Sequence, residues 1–207
     1  MKKFVAVIPL QGQGQLQRKH YKAVGNPRLD IEESVSFPIL TAFQGYVEPG
    51  ERSRIIAIRM DSDNARRNFD LLKQELKEIC EKRKIPFPDI VVIDIPEDEE
   101  VSTHVETFRK MIDCFEDNDE LFGCLTFGTK PLSEVVRMSI QYAYRVKKNT
   151  SICCIVYGQI VRDSQSSIID SFVYDQTALL RLDEIVRLMV DQGVKNPSTV
   201  LDALLAL

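Results

Sequence analysis

Residues 125–133, Leu-Thr-Phe-Gly-Thr-Lys-Pro-Leu-Ser, place small, hydroxylated and cationic groups between an apolar run and a helical period. Gly128 can adopt positive φ and lets backbone approach a ligand closely. Thr126 and Thr129 offer hydroxyls, and Lys130 offers a cation. A helix beginning at Pro131 would aim its positive end at the same point, which suits a phosphate or nucleotide. Pro131 lacks one donor there, so Ser133 and the turn amides would have to supply more. The same residues also describe an ordinary strand-to-helix turn with Lys130 in solvent. A second polar turn, at 9–15, carries Leu10, Gln11, Gly12, Gln13 and Gly14. Its amide side chains both donate and accept, which fits base edges and ribose hydroxyls as well as it fits a solvated loop.

The elements that must position these turns follow from apolar periodicity. Continuous or alternating apolar runs at 3–8, 54–60, 89–95, 121–126, 151–159 and 168–174 predict six strands. Helical spacing predicts helices over 62–84, capped by Asp61 or Ser62, and over 101–116, 131–146, 177–191 and 197–206. The 9–53 segment is long for one crossover. It is expected to hold a short hairpin turning at Gly25-Asn26-Pro27, then a helix through 36–46. The last strand is expected to return antiparallel across a polar turn at 162–167. The order predicts an α/β fold: a Rossmann-like, doubly wound, mainly parallel six-stranded sheet with an antiparallel last strand and C-terminal helices. In the strand order 3-2-1-4-5-6, the connections after strands one and four leave in opposite directions and open a crevice. Those two connections are the 9–15 and 126–131 turns.

Composition narrows the function classes. Lys and Arg number 27 against 31 Asp and Glu, a net charge of −4, which disfavours a binder of long nucleic acid. No apolar stretch reaches the ~20 residues of a membrane span, and the N-terminal apolar run lacks a small-residue cleavage site. The five cysteines are odd in number and lack C-x-x-C spacing, so reduced cytoplasmic thiols are expected, with neither a disulfide framework nor a metal site. Gln11-Gly12-Gln13-Gly14 contains G-x-G without the later glycine of the dinucleotide fingerprint, and no Walker-type loop is present, so no cofactor is expected.

An apolar strand, the turn Thr126-Phe127-Gly128-Thr129-Lys130-Pro131 and a following helix together resemble the CARF domain (CRISPR-associated Rossmann fold), whose members commonly show T-G-G-T-K-[PM] there. Phe127 stands where the first glycine is usual, a ring able to stack on a base or pack in a dimer seam. Tyr157-Gly158 near strand five and the Tyr174-Asp175-x-Thr177 pattern also resemble this group. The resemblance implies a homodimer that binds cyclic oligoadenylate, cyclic tetra- or hexa-adenylate, across its two-fold axis and controls an effector domain or protein. It divides the chain into a sensor domain, 1–176, and a dimer or linker element, 177–207. The implied ligand-binding residues are Leu10, Gln11, Gly12, Gln13, Gly14, Thr126, Phe127, Gly128, Thr129 and Lys130.

No effector chemistry is evident in the remaining residues. No Arg stands at ribonuclease-motif spacing before His20 or His104, the only two histidines. His104 is expected in a helix start, in a solvated or capping role. The acidic run Glu97-Asp98-Glu99-Glu100 reads as a solvated turn rather than a metal site. The ending LDALLAL suggests a sensor part of a longer protein. Two alternatives stay open. One is a metal-independent ring nuclease that positions a ribose 2′-hydroxyl, with Lys130 and Thr129 stabilising charge and no general base in view. The other is an unrelated Rossmann-like nucleotide-binding enzyme.

Overall fold

A computed structural model describes residues 1–165 and 167–206; Ser166, inside the expected 162–167 turn, and Leu207 lie outside the described residues. The sheet has seven strands: β1 (Lys2–Val7), β2 (Lys22–Val24), β3 (Ser53–Met60), β4 (Asp89–Ile95), β5 (Glu120–Cys124), β6 (Ser151–Arg162) and β7 (Ile168–Asp175). Their order is β2-β7-β6-β5-β1-β3-β4. Read from the β4 edge, this is the doubly wound Rossmann-like order with one strand added at the far side. All pairings are parallel except β6 with β7.

The added strand corrects the expected hairpin at Gly25-Asn26-Pro27. Instead, β2 pairs parallel with β7, with Lys22 opposite Phe172 and Val24 opposite Tyr174. Asn26 then caps a single 3-10 turn, Pro27–Leu29. The same Asn26 amide donates to Asp175 at 2.6 Å and to Tyr46 Oη at 2.9 Å. That polar knot fixes the crossing of β2 against the end of β7, a long-range pairing no local pattern announces.

Among the described residues six α-helices, α1 (Ile39–Tyr46), α2 (Asp63–Arg83), α3 (Val101–Ile112), α4 (Lys130–Val146), α5 (Thr177–Asp191) and α6 (Pro197–Leu205), accompany the sheet. Alternation in β1 serves both faces of the sheet. Phe4 and Ala6 join a core with α1 and α2, whereas Val5 and Val7 join one with α3 and α4. Phe4 stacks on Phe122 of β5 with ring centroids 4.4 Å apart, locking the two central strands together. On the other face α4 packs closely over β5: a Cβ on Gly123 would lie 2.6 Å from Ile140 Cδ1, so any larger residue there would displace that methyl group. At the opposite end of the sheet from the crevice, fully buried Lys3 pairs with Asp119 at 2.7 Å. Across the α4–α5 contact, Arg145 pairs with Glu184 at 2.6 Å and Gln141 donates to Asp183 at 2.6 Å. No described helix is long and apolar enough to cross a membrane.

Candidate functional site

β1 and β5 are neighbours, in register with Ala6 opposite Cys124, so their following turns leave the sheet side by side. The turns enclose a hollow of about 260 Å³. Its walls are Leu10 and Gln11 from the first turn and Thr126, Phe127, Gly128 and Thr129 from the second. Six of the ten expected residues therefore meet at one place. Gly128 has φ +96°, and a Cβ there would lie 3.0 Å from Val7 Cγ1, so this turn needs glycine on both conformational and steric grounds.

The two hydroxyls are less free than the sequence suggests. Thr126 Oγ1 accepts from the Gly158 N–H at 2.8 Å, so it clips the turn to β6. Thr129 is the N-cap of α4: its Oγ1 accepts from the Leu132 N–H at 3.4 Å. The helix thus begins at Lys130, one residue earlier than expected, with Pro131 in its first turn. Lys130 is exposed and makes no ion pair with a described residue. Phe127 turns partly inward, half-buried, with its ring edge-on to Phe37 at 6.3 Å. The sequence could not settle that orientation, because Phe37 is 90 positions away in the chain.

The first turn is held by groups the sequence reading missed. Asn68 of α2 donates from one amide to the Pro9 carbonyl at 2.8 Å and the Gln11 carbonyl at 3.0 Å. Asn64, one helical turn earlier, donates to the Leu10 carbonyl at 3.2 Å. Beyond them, Arg18 pairs with Glu75 at 3.2 Å and Glu78 at 2.7 Å, both on α2. Glu75 is buried, and desolvation holds its carboxyl above the usual range despite the Ser36 N–H and Arg18. Within the turn, Gln15 Oε1 accepts from the Gly12 N–H at 3.0 Å, and Gly14 takes φ +76°. Gln13 and Gly14 are exposed on the rim, and Gly12 is half-buried.

The acidic run is more than a solvated turn. Glu99 reaches back to the crevice and accepts from Thr129 Oγ1 at 3.0 Å. The same carboxylate oxygen lies 3.3 Å from His104 Nε2, and the imidazole is largely enclosed, with its side chain 12% exposed. A hydroxyl, a carboxylate and an imidazole therefore sit in a row beside the α4 N-terminus. The 30 residues between Glu99 and Thr129 hid the connection; the sequence signal was an acid and a histidine five residues apart at a helix start.

A larger hollow, about 720 Å³, lies elsewhere, along α2 against Phe87 and Ile85. It is a mainly apolar surface groove without the convergent polar groups of the crevice, so it is the weaker candidate for a polar ligand. Among the described residues no group of three or more His, Cys, Asp or Glu could hold a metal ion.

No protein-family model matches the sequence, and no curated protein matches it. The fold alone speaks for the chain: a Rossmann-like α/β domain of nucleotide-binding type. The crevice lies where such sheets take their ligands, outside the carboxyl ends of the strands at the topological switch point.

Proposed function

We propose that this chain is a sensor of the CARF type, binding cyclic oligoadenylate across a homodimer and passing the signal to an effector. One observation bears most of the reading: the two turns singled out by composition close on a single hollow at the switch point. The α4 N-terminus, the Gly128 backbone and Lys130 together favour a phosphate there. The Thr-x-Gly-Thr-Lys-Pro turn supports the family reading, and a symmetric cyclic polyanion suits an isologous interface, where each protomer repeats one set of contacts.

A second reading, metal-independent ring nuclease, gains from Glu99. That carboxylate, beside Thr129 and next to His104, is a base within reach of the crevice, which the sequence reading lacked. Labelled cyclic tetra- and hexa-adenylate, incubated with the protein in EDTA, separate the two. Retention with an intact ring supports the sensor. Linear product that disappears in both Lys130→Ala and Glu99→Gln supports the nuclease. Failure of both rings to bind overturns the cyclic oligoadenylate reading.

A further inference from the structure

The sheet face that α3, α4 and α5 cover is left open at one flank. On β6, Ile155 is buried in the core that includes Leu180 of α5, but Tyr157, two residues along the same face, is 42% exposed. Strand register carries this open face across three strands. Tyr157 stands opposite Tyr174 of β7, and Tyr174 opposite Val24 of β2; in the next row Gln159 stands opposite Phe172, and Phe172 opposite Lys22. Val24 is 41% exposed, and Phe172 and Tyr174 are half-buried with their rings 6.2 Å apart. The reverse face of the same strands is closed: Val173 is buried, and a Cβ on Gly158 would lie 2.3 Å from Pro38 Cγ. A mainly parallel sheet normally carries helices on both faces, so this flank lacks one helix.

Helix α6 shows the converse. None of its nine residues is buried, and its sequence, PSTVLDALL, carries one charge, Asp202. Val200 and Leu204, at i and i+4, form an apolar stripe that their own protomer leaves exposed. The two bare surfaces match in size. Three strands spaced ~4.8 Å apart span about 10 Å, the width of one helix, and the nine residues of α6 run about 13 Å. They match in charge as well. Lys22 is already paired with Asp170 at 2.6 Å, so the open face is locally neutral, and α6 nearly so. Aromatic sheet faces also take stacked bases, but a paired Lys22 is a poor seat for phosphates, which disfavours a nucleic acid here.

We propose that α6 of a second copy of this chain lies on the Tyr157–Tyr174–Val24 face, and that the exchange is reciprocal. Each protomer supplies the helix that the other's sheet lacks, in an isologous contact about a two-fold axis. Val200 and Leu204 pack against the Tyr157 and Tyr174 rings, while the Tyr174 hydroxyl keeps its bond to Gln159 Oε1 at 2.8 Å. The exchange supplies the second copy that the sensor reading requires, but it stands on the two bare surfaces and needs no ligand.

The chain has no tryptophan, so Leu204→Trp places a single emitting group on α6. The full chain carrying it is concentrated without ligand while emission and light-scattering mass are read together. Emission should move to shorter wavelength as the mass doubles. Adding Tyr157→Asp or Val24→Asp should weaken association about tenfold or more, the loss expected when an apolar contact of that size is not made. Emission should then stay at its dilute value. Tyr157→Phe should leave both curves unchanged, and unfolding midpoints of dilute protein separate lost contact from lost fold. Leu204→Asp and Tyr157→Asp should each associate poorly alone, yet recover association when mixed, because one intact helix-on-sheet contact then forms. If Tyr157→Asp and Val24→Asp change neither association nor emission, α6 packs elsewhere and the exchange is wrong. A chain that stays monomeric at every concentration also overturns it, and if that chain still retains cyclic tetra- or hexa-adenylate the ligand reading stands. Association that depends on Tyr157 and Leu204 while neither ring binds upholds the exchange and overturns the ligand reading.

Discussion

At Gly128 a single missing methyl group decides the shape of the crevice. Gly128→Ala must hold φ +96° and meet Val7 Cγ1 at 3.0 Å, a combined strain of about 1–3 kcal/mol. Urea unfolding should show that loss. Adding Val7→Ala should recover only the contact part, because the backbone penalty remains. Glu99 tests the electrostatics of the same turn. Its carboxylate accepts from Thr129 at 3.0 Å beside the α4 N-terminus, close to where a phosphate would sit. Glu99→Gln removes a like charge from that neighbourhood, so a phosphate-bearing ligand should bind several-fold tighter, with the gain fading at high salt. Calorimetric titration at low and physiological ionic strength checks both the sign and the salt dependence. Weaker binding in Glu99→Gln would instead assign the carboxylate a part in ligand contact.

Helix α2 is the element that sets the first turn. Asn64 and Asn68 lie at i and i+4 on one face, and Glu75 follows two turns later, which is why one helix can grip residues 9–18 at three places. That spacing was in the sequence, but polar residues at helical intervals look like a solvated face until the loop they hold is known. The strand order was legible because each buried strand is an apolar run and each helix has its own period. The three-residue β2 was not, since its residues are mostly exposed and its partner lies about 150 positions away. The site turns were legible from glycine and hydroxyl content; the Glu99–Thr129 contact was not, because it joins separate crossovers. Asn68→Ala should strip partners from the Pro9 and Gln11 carbonyls, costing about 1–3 kcal/mol and speeding amide exchange across 9–16. The grip also has a pH dependence. Burial raises the Glu75 carboxyl above its ordinary 4.5, so the folded protein binds that proton more tightly than the unfolded chain. Its contribution to stability is full below pH 4.5 and is lost as pH rises through the raised folded value. Wild type should therefore gain stability relative to Glu75→Gln as pH falls from neutral toward 4.5, measured by parallel urea titrations. A difference that does not change with pH would show that Arg18 cancels the burial.

For the molecule as a whole, charge and apolar surface are unevenly distributed. A chain of net charge −4 has Lys19 and Arg162 along a hollow beside Phe127 and an exposed Lys130 at the start of α4, so on the sensor reading a polyanion would be steered to that mouth. The apolar surface gathers at the other end of the sequence. Among described residues, seven of the seventeen exposed large hydrophobics, including Leu179, Leu188, Val190 and Leu205, lie on α5 and α6. Helix α6 has nine residues and none of them is buried. So short a helix is marginal in water without packing, so α6 draws little stability from its own protomer. A second copy of this chain, as the dimer reading requires, would cover that face. Amide exchange in α6 should then be fast in dilute protein and slow as concentration rises, in step with the mass measured by light scattering. Leu205→Asp should keep α6 fast at every concentration and weaken association, while leaving the unfolding midpoint of dilute protein nearly unchanged, since Leu205 is 66% exposed there. Association that survives Leu205→Asp, with α6 still exchanging rapidly, would place the dimer contact elsewhere and leave these helices without a role in it.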